Sequence, residues 1–347
     1  MAQAKEVSVA VLGSGSWGTT LALLTARKGL KTYLWTRTQD EANKLIADNE
    51  NKRFLPGYLF PPALKVTPTL DEALDKATLV IFAAPSGELR HNAQLARPYL
   101  SAQAESPLVL SAAKGLEMET LLRMSEVLEQ ELPEAATAGK VCALSGPNLA
   151  KEIAAGKPSA TVVAGKSGEA CRQAQNIIMT STFRVYTNHD VIGVELGGAL
   201  KNIIALGAGL SDGLEAGDNA KGAFMTRGMA EIGRLGVVAG ADPLTFLGLA
   251  GLGDMVATCA SPYSRNRFVG QELAKGRTLA DIRAGMSQVA EGVYTTAAAR
   301  RMAQKYGVEM PITEQLYLLL FENKNALLAI TELMMREPTQ EMYGFRI

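Results

Sequence analysis

One lysine in an otherwise apolar helix is the residue of this sequence best placed to do chemistry. Residues 195–210, E-L-G-G-A-L-K-N-I-I-A-L-G-A-G-L, contain a single cation, Lys201, followed by Asn202. Helical spacing sets Gly197, Lys201, Ala205 and Ala208 on one face. That face is small everywhere except at the ammonium, so backbone or a ligand can come close to it. Burial disfavours the charged form of a lysine and lowers its pKa toward the working range of a general acid/base. The competing reading is a lysine that snorkels at the rim of a core helix.

Other groups join it from several places. Gly251-Leu252-Gly253-Asp254 puts an acid in a glycine-rich bend. Asp254 there either pairs with Lys201, binds substrate hydroxyls, or only caps a helix. Ser264-Arg265-Asn266-Arg267 opens a helical segment, and a hydroxyl, a guanidinium and an amide at a helix start suit a phosphate. A solvated basic turn looks the same. Glu291, in V-A-E-G, reads as a surface acid or a cofactor contact. Three further loops follow β-rich runs and end in Pro85-Ser86, Lys114-Gly115 and Gly146-Pro147-Asn148. Each is ordinary alone, but in an open α/β sheet all three lie at the strand ends where ligands bind. Of these, Lys114 is the strongest candidate.

Near the N-terminus, Gly13-Ser14-Gly15-Ser16-Trp17-Gly18 follows a buried-strand pattern and opens a helical one. In a dinucleotide-binding turn the first glycine permits the bend, the second admits the pyrophosphate, and the third lets helix and strand pack. The helix N-terminus offers N–H groups to the phosphates. The next strand ends at W-T-R-T, so Arg37, with no acid beside it in sequence, stands where an acid would read the adenosine ribose. An arginine there favours a 2′-phosphate, and NADP is therefore expected to be accepted alongside NAD. A solvated surface arginine is the alternative. Trp17 reads equally as a packing residue beneath the loop.

These groups must be carried by a suitable scaffold. Strand-like runs at 7–12, 31–36, 78–83, 108–112 and 141–145 alternate with helical patterns, and 160–164 is expected to close the series. Such near-continuous apolar strands predict a doubly wound, mainly parallel sheet. From about residue 190 the texture turns to long Ala-, Leu-, Met- and Gly-rich helical segments. The expected division is therefore a Rossmann-like α/β domain over 1–190 and an all-helical domain over 191–347, joined directly by a helix. The 347 residues carry 35 basic and 35 acidic side chains, a balance with no electrostatic footprint for nucleic acid or an anionic membrane. Apolar stretches are expected to break before membrane-spanning length, and no signal peptide is read at the start. Cys142, Cys171 and Cys259 are scattered and His91 and His189 are the only histidines. Reduced thiols and no metal site are expected. Leu333-Met334-Met335 reads as core packing in preference to an interface.

Six motifs in order, G-S-G-S-W-G, A-A-K-G-L-E, S-G-P-N-L-A, G-G-A-L-K-N-I-I-A, L-A-G-L-G-D and Y-S-R-N-R, make the chain resemble the NAD(P)-dependent sn-glycerol-3-phosphate dehydrogenases of bacterial type from about residue 7 to 330. The resemblance implies a cytoplasmic, usually dimeric oxidoreductase that interconverts glycerol 3-phosphate and dihydroxyacetone phosphate and feeds phospholipid synthesis. It implies that Lys201 exchanges the proton of the C2 oxygen and that Lys114 serves both cofactor and substrate. Gly146, Asn148 and Asp254 are implied substrate contacts, and Ser264, Arg265 and Asn266 match the phosphate-binding run, Arg265 also reaching the cofactor. Ser14, Trp17, Arg37, Ala150, Val289 and Glu291 fall where the family contacts the dinucleotide. Two positions depart from the pattern: Asn148 stands where many members have Ser, and Gly87 where a His often follows Pro-Ser.

Rival readings are distinguishable. β-Hydroxyacid and 6-phosphogluconate dehydrogenases also pair a dinucleotide domain with a helix-borne lysine. No Tyr is followed by Lys four residues later, which excludes short-chain dehydrogenases. A histidine-dependent hydroxyacid dehydrogenase would have to use His91 or His189. A dinucleotide-sensing regulator would need the glycine loop but not Lys201, Asp254 and Arg265 together.

Overall fold

A computed structural model describes residues 6–286, 290–341 and 344. The chain forms two compact units, Met1–Ala113 with Met124–Val191, and Lys114–Arg123 with Ile192–Ile347. Residues 114–123 thus belong to the second unit, although they lie well inside the stretch assigned to the first on sequence.

The strands of the first unit are β1 (Ser8–Leu12), β2 (Lys31–Trp35), β3 (Glu50–Asn51), β4 (Leu55–Leu59), β5 (Leu64–Thr67), β6 (Leu79–Phe82), β7 (Leu108–Ser111), β8 (Val141–Ser145), β9 (Ser159–Gly165) and β10 (Phe183–Asn188). Eight of them form one sheet in the order β10-β9-β8-β7-β6-β1-β2-β5, while β3 and β4 make a separate two-stranded pair. Every residue of β1, β6, β7 and β8 is buried, as expected for parallel strands covered on both faces. Helices Ser16–Arg27 and Gly168–Ile178 contribute Leu21, Leu24, Ala170 and Ala174 to the core beneath them.

Two strand assignments change. β9 pairs antiparallel with β8, from Cys142 opposite Gly165 to Ser145 opposite Val162. Residues 146–158 contain only the five-residue helix Ala150–Ala154, too little for the helical crossover that a parallel neighbour needs, so the chain turns straight back. β9 also does not close the sheet, because β10 lies outside it, parallel, with Phe183 opposite Ser159.

The second unit is helical. Its longest helix, Val191–Gly213, has 23 residues and is buried continuously from Gly193 to Leu210. By length and composition this helix qualifies as a membrane span, contrary to the sequence expectation, but 89% of its apolar window is buried inside the protein. It is the core helix of its unit. Leu196, Leu200, Ile203 and Ile204 pack with Ile232, Met255, Ala299 and Met302, and Leu116 from the 114–123 segment joins the same core. Met334 and Met335 are 79% and 80% exposed, so the expected core packing holds only for Leu333, which lies partly buried against that core. All three cysteines are buried and none is in a disulfide.

Candidate active site

The glycine loop joins β1 to helix Ser16–Arg27, and steric constraints account for two of its three glycines. Gly13 has φ +130°, and a Cβ there would lie 2.8 Å from the Ala83 carbonyl oxygen at the end of β6. A Cβ on Gly18 would lie 1.9 Å from the Gly13 carbonyl oxygen. Nothing lies within 4 Å of a Cβ on Gly15, which leaves the approach a pyrophosphate requires. The helix begins without a side-chain cap and without an acid in its own first turn, so its first N–H groups and positive dipole end suit an anion. These features fit a bound dinucleotide.

The loop is braced from a segment that the sequence reading passed over. Buried Asn51 donates through Nδ2 to the Ser14 carbonyl at 2.7 Å and to Thr19 Oγ1 at 2.8 Å. Ser16 Oγ donates to the Phe54 carbonyl at 2.7 Å. Ser14 Oγ donates to the Glu41 carboxylate. Trp17 packs against Phe183 edge-on, with ring centroids 6.4 Å apart, and its buried Nε1 has no acceptor among the described residues. Arg37 does have an acid beside it, brought by the fold and not by the sequence: its Nη2 lies 2.9 Å from Glu88 Oε2.

Further along the same sheet edge, Gly146 has φ +145°, and a Cβ there would come within 3.0 Å of Thr161 Cα. Asn148 Nδ2 donates to Thr161 Oγ1 at 3.0 Å, which in turn donates to the Ser145 carbonyl at 2.8 Å. Asn148 Oδ1, Ser145 Oγ and Ser111 Oγ are buried without partners among the described residues. Buried polar groups need partners, and three at the ends of β7 and β8 suit a polar ligand or ordered water. Ala150 is half-buried, and its carbonyl accepts from Thr20 Oγ1 at 3.3 Å.

In the helical unit, Lys201 is 5% exposed and its ammonium is held by two partners. Nζ lies 3.0 Å from Asp254 Oδ1 and donates to Thr258 Oγ1 at 2.5 Å. Lys114 Nζ lies 2.6 Å from the other carboxylate oxygen, Asp254 Oδ2. One buried carboxylate thus bridges two ammonium groups. Burial lowers the Lys201 pKa to about 8, with Lys114 pushing the same way and Asp254 opposing. The small-residue face serves backbone approach: a Cβ on Gly197 would lie 2.9 Å from the Ala250 carbonyl oxygen. That places the turn Leu249–Gly253, and so Asp254 at the start of helix Asp254–Ala260, directly against the Lys201 helix. The alternatives of a snorkelling lysine and of a mere cap fall away. Thr258 was missed, although its i+4 spacing from Asp254 puts both on one helical face.

Ser264 caps helix Arg265–Ala274, its Oγ accepting from Arg267 N at 3.2 Å. Arg267 turns to Asp212, at 2.6 Å, whereas Arg265 is exposed and close enough to Glu291 to feel its charge. Asn266 is a bridge: Nδ2 donates to Asn202 Oδ1 at 2.9 Å, and Oδ1 accepts from Gly292 N at 2.9 Å. It ties the residue after Lys201 to the helix that begins at Glu291. Val289 lies outside the described residues.

A doubly wound sheet with a glycine loop after its first strand, and a helical unit built round a buried lysine–aspartate pair, define a two-domain nicotinamide-dependent dehydrogenase. The profile for the N-terminus of NAD-dependent glycerol-3-phosphate dehydrogenase matches residues 8–171, and that for its C-terminus residues 190–331. The chain is 48% identical to glycerol-3-phosphate dehydrogenase (NAD(P)+) of Chlorobium limicola, over 96% of this chain and 99% of that protein. It is 49% identical to the Dehalococcoides mccartyi enzyme of the same name, over 97% and 93%. The crystal structure of glycerol-3-phosphate dehydrogenase from Coxiella burnetii is similar with a TM-score of 0.90 and 38% identity, covering 96% of this chain and all of that one (100%). The chain belongs to the NAD-dependent glycerol-3-phosphate dehydrogenase family.

Proposed function

We propose that the protein interconverts sn-glycerol 3-phosphate and dihydroxyacetone phosphate with NAD(P)+/NAD(P)H, Lys201 acting as the general acid/base. The nicotinamide, when bound, supplies or accepts the hydride at the C2 carbon. In the reducing direction the Lys201 ammonium gives its proton to the C2 oxygen. In the oxidising direction the neutral amine takes the proton back from the hydroxyl. The observation that carries the proposal is the buried Lys201 ammonium held between Asp254 and Thr258; burial lowers its pKa to about 8, which leaves both forms populated near neutral pH. Asp254 and Thr258 hold Nζ in place, so little reorganisation accompanies the transfer. Lys114 adds a second positive charge where the oxygen becomes anionic during reduction.

Ser264, Arg265 and Asn266 are the proposed phosphate receptor. A phosphate anchored there turns remote binding energy into orientation of the carbonyl. Gly146 and Asn148 are proposed as further substrate contacts. Gly13, Ser14, Gly15, Trp17, Gly18, Arg37, Lys114, Ala150, Arg265, Val289 and Glu291 are the proposed dinucleotide set. The names of the relatives and the family motifs support this reading. Supply of glycerol 3-phosphate for phospholipid synthesis, a cytoplasmic location and a homodimer complete the proposal. The test is Lys201→Ala, for which kcat should fall by about 100- to 10,000-fold while the Kd for NADPH, titrated by its fluorescence, stays within about twofold. Near-full turnover by the variant would end the assignment.

A further inference from the structure

We infer that Glu88 sets the balance between NADH and NADPH by holding Arg37. This inference rests on the reading of Arg37 as the contact to the adenosine end of the dinucleotide. Arg37 stands just past β2, which ends at Trp35, and Glu88 closes the short helical turn Ser86–Glu88 beyond β6. Both strands flank β1: Leu12, the last residue before the glycine loop, pairs with Trp35 on one side and Phe82 on the other. The 2.9 Å ion pair therefore links the carboxyl ends of the two strands that border the dinucleotide turn. Its side chains are 55% and 45% exposed, so an incoming nucleotide can reach both.

The two coenzymes ask opposite things of this corner. A ribose 2′-hydroxyl is served by a carboxylate acceptor, and a 2′-phosphate by a guanidinium. Here the guanidinium already has a carboxylate partner. A 2′-phosphate must draw Arg37 away from Glu88 and then lie near a displaced negative charge. A second carboxylate, Glu41, sits in the first turn of the helix Gln39–Asp48 and is tied to Ser14 of the loop. Glu88 thus weakens the response of Arg37 to the extra phosphate and leaves NADH unopposed. Both coenzymes are accepted because neither charge excludes the other. Nothing in the sequence around Arg37 reveals this control, since Glu88 arrives from a different strand.

The test uses the full-length enzyme, with Kd values for NADH and NADPH and competitive inhibition by adenosine 2′,5′-bisphosphate against 5′-AMP. In Glu88→Gln the preference ratio should move toward NADPH by about two- to fivefold, the size set by an exposed charge pair. Adenosine 2′,5′-bisphosphate should tighten in step, without 5′-AMP doing so. Arg37→Gln should weaken NADPH, and Glu88→Gln should yield no gain in that background. An unchanged ratio in Glu88→Gln, or an equal change for both coenzymes, overturns the role of Glu88 even if Arg37→Gln weakens NADPH. If Arg37→Gln leaves NADPH binding intact, the reading of Arg37 fails and the inference goes with it.

Discussion

Replacing Asp254 by asparagine tests the electrostatic core of the mechanism. The substitution keeps volume and a dipole but removes the one negative charge between two ammonium groups, with Nζ–O separations of 3.0 Å to Lys201 and 2.6 Å to Lys114. At 3.0 Å two unit charges attract by about 5 kcal/mol at an effective dielectric constant of ~20. That figure is a ceiling, since the amide oxygen and local relaxation recover part of it. A close counter-charge typically moves a pKa by roughly one to three pH units, so the Lys201 midpoint should drop from about 8 to roughly 5–7. The sign follows from the role. Reduction needs the ammonium, so its kcat/KM falls as pH rises through the midpoint, whereas oxidation needs the amine and rises there. In Asp254→Asn both limbs should shift to lower pH. With a midpoint near 6, only about a tenth of the enzyme is protonated at pH 7, which alone slows reduction about tenfold. The assay is the pH profile of kcat/KM in both directions, followed by NADPH absorbance. A profile that keeps its midpoint, or moves it upward, would refute the placement of Asp254 as the charge that sustains the Lys201 ammonium.

Two further outcomes follow from the packing. In Gly18→Ala the new methyl meets the Gly13 carbonyl oxygen at 1.9 Å, so the turn must open; thermal stability should fall and NADH affinity drop by about tenfold or more, read by melting and fluorescence titration. In Glu195→Gln the Arg123 guanidinium loses a carboxylate at 2.6 Å, in a pair whose side chains are only 14% and 6% exposed. Loss of one partner there should cost about 3 kcal/mol in chemical denaturation, and Arg123→Gln in the same chain should restore part of it.

The parts of this protein that sequence makes legible are those whose signal is local. The glycine loop lies between a buried strand and a helix, and Gly13 and Gly18 are each required by backbone approach. Lys201 stands out because its helix is otherwise apolar and its face small, and that face does receive the Ala250 backbone at Gly197. The signals that sequence hides are those created by topology. Glu88 reaches Arg37 only because β6 and β2 border β1. Asn51 braces a loop 37 residues earlier, and no periodicity marks it. The reversal at β9 depends on how little helix lies between Ser145 and Ser159, a matter of length more than composition. Thr258 lay within reach, one helical turn from an acid already singled out.

The segment 114–123 makes the helical unit discontinuous along the chain. Leu116 lies in its core, Arg123 pairs with Glu195, and Arg301 donates to the Met118 and Glu119 carbonyls. Recombination between relatives at residue 190 would therefore separate a plug of that core, and the ammonium of Lys114, from the helices they were selected with. Chimaeras of this architecture should inherit the ten-residue insert and the C-terminal half from one parent, and homologous exchange is tolerated only when it respects that bond between distant parts of the gene.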